Sequence, residues 1–235
     1  SEMISPAPPT AREPMCTVCH WLTIPSWYSH EYWHIAAIKM RLRISSEAKA
    51  LRHQFCAERK LFKAISSGSA EDRQPKPITH VAVIGAGTLG SGITISCLSA
   101  GYSVHLLDQN ENALAGGIQK VRDFFSARIE SNKISVEKVN AIMGCFTHSA
   151  QWSDIASADL IVEAVFEDAQ VKRVVFEQID EYAKADALIA SNTSYLDIDS
   201  ITEKVSHLDR VFGLHFFSPA HLMKLIEIIR CKETS

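Results

Sequence analysis

A histidine and a glutamate stand on either side of a proline-containing turn near the end of the chain. His215 closes the apolar run 210–215, and Glu227 lies in the apolar run that follows Pro219. Because proline cannot continue a strand, we expect the chain to turn there and bring Glu227 back towards His215. A neutral imidazole can take a proton from an alcohol, and a carboxylate on its other nitrogen fixes the tautomer. The pair fits a general base with its orienting partner, although a histidine beside one acid can also be structural.

A glycine-rich turn upstream of this pair indicates a binding site for a phosphate-containing ligand. The pattern Gly85-x-Gly87-x-x-Gly90 follows the apolar run 81–84 and precedes a helix-like stretch. Gly85 would allow the tight turn, Gly87 the approach of a pyrophosphate, and Gly90 the packing of the helix on the strand. The free N–H groups and positive dipole end of that helix would then face phosphates. We predict a phosphate cradle at these three glycines.

An acid at the end of the second apolar run supports a dinucleotide as the ligand. Asp108 lies where an acid that reaches the adenosine ribose hydroxyls belongs. Its carboxylate would repel a 2′-phosphate, and Gln109 and Asn110 supply no compensating cation, so NAD is favoured over NADP. The alternative is an ordinary strand–helix turn with a surface aspartate. With NAD bound, an alcohol that loses its proton to His215 could pass a hydride to the nicotinamide.

Length and charge restrict the class of protein. The chain has 235 residues and a formal net charge of −3, which suggests neither nucleic acid nor an acidic membrane as a partner. We find no apolar run of the roughly 20 residues that a membrane helix needs, and no export signal. Cysteines 56, 97, 145 and 231 are predicted to be reduced thiols. We expect a cytoplasmic protein, with the peroxisome as the alternative.

The N-terminal leader, residues 1–43, does not resemble the rest of the sequence, and disorder is one interpretation of it. The run 16–20 matches the haem attachment motif, but covalent haem requires export. Its two cysteines with His30 and His34 resemble a zinc-finger ligand set, yet the spacing is short and the usual apolar core positions are missing. We predict no metal site and assign the leader no fold.

The remaining elements follow from alternating apolar runs. A helix over residues 45–63 and a polar linker make up residues 44–77, and strands alternate with helices over residues 78–235. This alternation is typical of a Rossmann-type, doubly wound, mainly parallel α/β sheet. Ligands of such sheets bind at the carboxyl ends of the strands, where Glu167 and Ser194 follow two apolar runs.

The helix that follows Glu167 has an amphipathic pattern. Its predicted inner face consists of Val171, Val174, Val175, Ile179 and Tyr182. Its predicted outer face carries Lys172, Arg173 and Glu177.

From about residue 46 to 235 the chain resembles the L-3-hydroxyacyl-CoA dehydrogenase family, in particular the dehydrogenase part of the multifunctional fatty-acid β-oxidation enzymes. The resemblance is carried by VIGAGTLG at 83–90, VEAVFED at 162–168, SNTS at 191–194 and HFFSPAHLMKLIE at 215–227, in this order and spacing. Residues 50–60 look like the helix that joins the hydratase half to the dehydrogenase half. The resemblance implies NAD-dependent oxidation of L-3-hydroxyacyl-CoA to 3-ketoacyl-CoA.

The resemblance also implies roles for single residues. It makes His215 the catalytic base, Glu227 its orienting partner and Ser194 a hydrogen-bond partner of the substrate's 3-oxygen. NAD would be contacted by Gly85, Gly87, Gly90, Asp108, Glu167 and Lys172. In other interpretations Ser194 only caps a loop, and the last two residues are solvated charges. Ser218, where single-function members often have asparagine, looks like the multifunctional branch.

The extent of the sequence bears on activity. In the family an all-helical C-terminal domain follows this point, closes over the acyl-CoA and mediates dimerisation. We expect that domain to be absent here, and a homodimer only where it is present. An NAD-binding module without turnover, structural or sensing, is therefore the alternative to an active dehydrogenase.

Overall fold

The computed structural model describes residues 45–67, 76–223 and 225–235. The chain divides into two units, residues 1–74 and 75–235. The first unit contains helix α1 (Ser46–Ser67). Ser45 begins this helix, since its Oγ accepts a hydrogen bond of 3.2 Å from the N–H of Ala48. The predicted helix is thus present and ends slightly later than expected.

The second unit is built on one seven-stranded sheet. Its strands are β1 (His80–Ile84), β2 (Ser103–Leu107), β3 (Phe146–Ser149), β4 (Leu160–Glu163), β5 (Leu188–Ser191), β6 (Val211–Phe216) and β7 (Ile226–Arg230). They lie in the order β3-β2-β1-β4-β5-β6-β7. All neighbours are parallel except β6 and β7. The predicted doubly wound, mainly parallel sheet is confirmed.

Helices cover both faces of this sheet. They are α2 (Thr88–Ala100), α3 (Glu111–Glu130), α4 (Val136–Gly144), α5 (Ala169–Tyr182) and the short α6 (Ile198–Ile201). Side chains alternate along β1, so Val81 and Val83 belong to the core formed with α2, α3 and α4. Ala82 and Ile84 belong to the core formed with α5 and α6. Burial on both faces explains why the central strands are continuous apolar runs.

Two predictions about elements need correction. The strand β3 has no counterpart among them, because its sequence Phe-Thr-His-Ser is short and polar and its residues are only partly covered. Of the predicted inner face of α5, Val175, Ile179 and Tyr182 pack against the core, whereas Val171 and Val174 are exposed. The prediction that Lys172 points outward is wrong, since 1% of its surface is exposed.

Several further expectations concern cysteines, metals and membranes. Cys56, Cys97, Cys145 and Cys231 are free thiols. Burial raises the pKa of the Cys97 thiol to about 11. Over the described ranges, no cluster of three potential metal ligands occurs and no helix is long and apolar enough to cross a membrane. The haem and zinc patterns lie in the leader, outside the described residues.

Candidate active site

The glycine turn after β1 is as tight as its sequence predicts. Gly85 has φ = +104°, a backbone conformation that side chains rarely adopt, and a Cβ there would lie 2.7 Å from the carbonyl oxygen of Ala164. A Cβ on Gly90 would lie 1.8 Å from the carbonyl oxygen of Gly85. A Cβ on Gly87 would meet nothing within 4 Å. Two glycines therefore allow the fold, and the third leaves open space in front of the turn.

The N-terminus of α2 is left free to bind an anion. No side chain of the described residues caps it, whereas the side chains of Asn110, Ser135 and Asp168 cap helices α3, α4 and α5. The first-turn N–H groups of α2 thus have no side-chain acceptor, and the positive end of the helix dipole lies beside them. This is the local arrangement that a pyrophosphate requires.

Asp108 lies next to the same turn. Its Oδ2 accepts a hydrogen bond of 2.8 Å from the N–H of Ala86, and its Oδ1 accepts one of 2.9 Å from the N–H of Asn110. The carboxylate therefore joins the glycine turn to the start of α3. It remains half-buried, so it can still face a ribose. Together the open turn, the uncapped helix and this acid fit the diphosphate and ribose of NAD.

The predicted catalytic residues lie at the same edge of the sheet as the glycine turn. Ile84, Glu163 and Ser191 end β1, β4 and β5 and are paired from strand to strand, and Gly213 within β6 continues this row. His215 lies just beyond this row. The alternating topology thus brings together residues that are distant in sequence.

His215 and Glu227 are directly opposite each other in the antiparallel pair β6–β7. Their side chains are in contact, with 2.8 Å between Nδ1 of His215 and Oε2 of Glu227. The ring of Phe217 packs against the imidazole with 4.7 Å between centroids. The imidazole is mostly covered, at 17% exposed, while Glu227 is 52% exposed. Strand pairing therefore fixes the contact expected between these two residues.

Ser194 completes the surroundings of the imidazole. Its Oγ lies 3.3 Å from Nε2 of His215, on the opposite side of the ring from Glu227. Its N–H donates a hydrogen bond of 2.8 Å to Oε1 of Glu167. Glu167 also accepts a hydrogen bond from Oγ1 of Thr193. The carboxylate of Glu167 thus holds the loop that carries Ser194.

Lys172 joins two carboxylates inside the domain. Its Nζ lies 2.7 Å from Oε1 of Glu163 and 3.2 Å from Oε2 of Glu167. Partial burial opposes ionisation of Glu167, but the hydrogen bonds from Thr193 and Ser194 and the charge of Lys172 outweigh it, so its pKa lies below the usual value. The interpretation of Lys172 as a solvated charge is therefore wrong.

Two residues of this region received no role from the sequence. Glu163 is fully buried, and Asn192 accepts a hydrogen bond of 2.8 Å on its Oδ1 from the N–H of Phe216. Asn192 thus connects the loop after β5 to the strand that carries His215. A signal for Glu163 was present, since it ends the run Leu-Ile-Val-Glu, where a charged residue inside a buried strand needs a partner.

The segment after β6 returns to the helix of the glycine turn. Oγ of Ser96 on α2 donates a hydrogen bond of 3.0 Å to the carbonyl oxygen of Ala220. A Cβ on Gly92 would lie 3.2 Å from Cβ of Ala220, so the chain passes close to α2 there. The segment that follows His215 is therefore packed against the helix whose N-terminus faces the open turn.

Known proteins are similar to this chain over most of its length. The family model described as 3-hydroxyacyl-CoA dehydrogenase, NAD binding domain, matches residues 80–235. A peroxisomal fatty acid beta-oxidation multifunctional protein of Arabidopsis thaliana is 36% identical over 200 residues, which are 85% of this chain and 28% of the plant protein. The human peroxisomal bifunctional enzyme is 34% identical over 193 residues, which are 81% of this chain and 26% of that enzyme.

Solved structures give the same result. The crystal structure of 3-hydroxybutyryl-CoA dehydrogenase from Escherichia coli matches with a TM-score of 0.65 and 33% identity, over 68% of this chain and 34% of that chain. This chain spans little more than a quarter of the length of the plant relative. By the family model and by these relatives, the chain belongs to the 3-hydroxyacyl-CoA dehydrogenase family and carries its NAD-binding domain.

Proposed function

We propose that the chain carries the NAD and proton-transfer site of an enzyme that oxidises L-3-hydroxyacyl-CoA to 3-ketoacyl-CoA in fatty-acid β-oxidation. The main support is His215, which lies between Glu227 and Ser194 at the edge of the sheet that also carries the glycine turn. A base, its orienting acid and a dinucleotide cradle at one edge match the needs of an alcohol dehydrogenation.

His215 is the proton acceptor in this proposal. With Nδ1–H donating to Glu227, the lone pair of Nε2 is free to take the proton of the substrate's 3-hydroxyl group. The imidazolium that forms is stabilised by the carboxylate of Glu227. The packing of Phe217 against the ring limits its rotation, so Nε2 stays directed at the position near Ser194.

Ser194 positions the reacting oxygen. Its hydroxyl lies 3.3 Å from Nε2, so an oxygen that contacts both groups would be held at the end of the imidazole. In the reverse reaction the same hydroxyl would donate to the 3-keto oxygen while the imidazolium returns its proton. Such positioning of a reacting group is a large part of the catalytic effect that a protein can provide.

The cofactor would be held by the open turn. Gly85, Gly87 and Gly90 with the N-terminus of α2 would face its diphosphate, and Asp108 its adenosine ribose. Glu167, whose side chain is 27% exposed, is proposed to contact it on the side of the Ser194 loop. Lys172 is 1% exposed, so it would act through Glu167 and not by the direct contact that the resemblance implies. When bound there, NAD would supply the acceptor for the hydride that leaves the carbon bearing the hydroxyl group.

The test is a comparison of reaction rates. We expect the wild type to consume NADH with acetoacetyl-CoA, and His215→Ala to lower kcat by at least about 100-fold, since general base catalysis contributes on this scale. His207→Ala, at an exposed histidine in a loop, is the control and should be as active as the wild type. Equal rates for the wild type and His215→Ala would remove His215 from the mechanism.

A second candidate is an NAD-binding module without turnover. It is favoured by the exposure of the site, because Ser194 is exposed and Glu227 is 52% exposed, which leaves water around the reacting carbon. Titration calorimetry that detects NAD binding, together with no reduction of acetoacetyl-CoA, would select this candidate over the dehydrogenase.

The names of the relatives bear on the compartment. The plant and human relatives named above are peroxisomal proteins. We propose the peroxisome, the alternative considered from the sequence, rather than the cytoplasm. A fluorescent fusion of the full-length protein should coincide with a peroxisomal marker, and a diffuse cytoplasmic signal would contradict this.

A further inference from the structure

Glu163 has a carboxylate that solvent does not reach. It ends β4, and 0% of its surface is exposed. Its Oε1 accepts hydrogen bonds from the N–H of Val165 at 2.8 Å and from Nζ of Lys172 at 2.7 Å. Its Oε2 accepts a hydrogen bond of 2.7 Å from Oγ of Ser191. These three partners are donors, and one of them is a cation, which is the environment that suits a carboxylate anion.

The two oxygens of Glu163 connect different elements to the loop that carries Ser194. Through Lys172 on α5, Oε1 leads to Glu167, whose carboxylate accepts the N–H of Ser194. Through Ser191 on β5, Oε2 reaches the start of the same loop. Both oxygens therefore support a segment that Glu163 also contacts through its backbone, since its carbonyl oxygen accepts a hydrogen bond of 2.8 Å from the N–H of Asn192.

The second of these routes is completed by a backbone contact. Oγ of Ser191 accepts a hydrogen bond of 3.3 Å from the N–H of Thr193, while its hydroxyl hydrogen is donated to Glu163. The hydroxyl is thus oriented by the carboxylate and in turn orients the backbone next to Ser194. A buried network of this kind is stiff because each member is satisfied by the others.

We propose that Glu163 is a positioning residue for the dehydrogenase reaction: it fixes Lys172 and Ser191, and through them it holds Ser194 against His215. This inference rests on the proposed function. Glu163 is too deeply buried to contact the substrate. Its effect on the reaction is therefore exerted through Ser194. A residue that only stabilises the fold would have no such effect.

Glu163→Gln tests this role because it keeps the shape of the side chain and removes the charge. The carboxamide oxygen can accept from Lys172, but the NH₂ group must face Ser191 and reverse the direction of that hydrogen bond. We expect kcat with acetoacetyl-CoA to fall at least about 30-fold, while KM changes less than about threefold. The double variant with Ser194→Ala should have a kcat less than about threefold below that of the less active single variant, because both changes disturb one interaction.

Asp159→Asn is the matched control. Asp159 precedes β4 at the other edge of the sheet, is 9% exposed, and accepts hydrogen bonds from the backbone N–H groups of Thr79 and His80 and from Nζ of Lys184. It should lower the melting temperature and leave kcat of the folded protein unchanged. If Glu163→Gln behaves in the same way, Glu163 is structural only and the proposal is overturned.

A milder variant covers the case in which Glu163→Gln does not fold. Ser191→Ala leaves the ion pair with Lys172 intact and removes only the hydroxyl that joins Glu163 to the loop. Its kcat should fall about fivefold or more, which is a smaller loss than in Glu163→Gln. The effect should again be non-additive with Ser194→Ala. Wild-type kcat in Ser191→Ala, or full additivity, would contradict the proposal.

A measurement without turnover separates this inference from the proposed function. If the wild type does not reduce acetoacetyl-CoA, the proposed function fails, but the imidazole ¹⁵N resonances of His215 still report on Ser194. Ser191→Ala and Glu163→Gln should move the Nε2 resonance in the direction that Ser194→Ala moves it, and Asp159→Asn should not. An unchanged resonance in folded Ser191→Ala would overturn the role of Glu163.

Discussion

His215 depends on two neighbours that act in different ways. Glu227 orients the ring through a contact of 2.8 Å with Nδ1, and its negative charge would stabilise the imidazolium that forms when Nε2 takes a proton. Ser194 is held by the backbone contact to Glu167, and its hydroxyl oxygen lies 3.3 Å from the other ring nitrogen. One neighbour therefore selects the tautomer, and the other defines where a substrate oxygen would lie.

Replacement of Glu227 by glutamine tests the contribution of its charge. The amide can still accept the Nδ1–H hydrogen bond, but it cannot balance the charge of the imidazolium that forms during proton transfer. We expect kcat to fall about 100-fold, while the dissociation constant for NAD changes less than about twofold. Steady-state kinetics and calorimetry measure the two quantities. Glu233→Gln, at an exposed acid near the end of the chain, is the control, and an equal loss there would refute the assignment.

Single residues also mark the limit of inference from sequence. The proximity of His215 and Glu227 could be predicted, because a turn between two apolar runs makes antiparallel neighbours. The burial of Lys172 could not, because its partners Glu163 and Glu167 come from a strand end and a loop, which helical periodicity does not include. A pattern of hydrophobicity places a lysine outside unless its counter-ions are known.

At the scale of elements, the turn between β1 and α2 combines two requirements in three glycines. Gly85 and Gly90 are required by the fold, since a side chain at either would meet backbone atoms within 3 Å. Gly87 has φ = −65°, which any residue can adopt, and its Cβ position is open. The fold therefore does not require glycine there, and the open space is available to the diphosphate.

A matched pair of variants separates these requirements. The free energy of unfolding of Gly87→Ala should lie within about 1 kcal/mol of the wild-type value, because the substitution costs little more than a change of helix-cap residue. Its dissociation constant for NAD should rise at least about tenfold, because the methyl group occupies the approach to the turn. Gly90→Ala should instead lower the free energy of unfolding by about 3 kcal/mol or more, on the scale of a severe overpacking. Denaturant unfolding and calorimetry distinguish them, and normal NAD binding by Gly87→Ala would contradict the cradle.

The strands differ in how well the sequence reveals them. The central strands β1 and β4 are covered on both faces and therefore appear as uninterrupted apolar runs, which is why they could be predicted. The edge strand β3 has only one sheet neighbour, β2, and its Thr147 and His148 are exposed, so no apolar pattern marks it. The edge strand β7 is exposed along its length but apolar in sequence, and that composition was enough to predict it.

In the second unit as a whole, the charged groups at the amino ends of the parallel strands and those at the carboxyl ends have different roles. At the amino ends of the strands, Asp159 joins the segment before β1 to Lys184 after α5. The hydrogen bond from Lys184 and those from the backbone of His80 and Thr79 hold the pKa of Asp159 well below its usual range. At the carboxyl ends, the polar residues surround an open turn and a reactive imidazole. Stability and chemistry are therefore supported by different charged groups.

This division predicts how cofactors affect the stability of the domain. A ligand that binds only the folded state stabilises it by about 2.7 kcal/mol at a hundredfold excess over its dissociation constant, which for a chain of this size raises the melting temperature by roughly 5 to 10 °C. We expect NAD to have this effect. NADP at the same concentration should raise the melting temperature by less than about 2 °C, because its 2′-phosphate is repelled by the carboxylate of Asp108.

The control removes that charge while it keeps the shape. In Asp108→Asn the amide oxygen can still accept the N–H of Ala86, while the NH₂ group replaces the oxygen that accepts the N–H of Asn110, so only this second hydrogen bond is lost. The repulsion of the 2′-phosphate is gone. The difference between the melting-temperature shifts produced by NAD and NADP should therefore fall to less than about half of its wild-type value. If NADP stabilises the wild type as strongly as NAD, Asp108 does not select the cofactor.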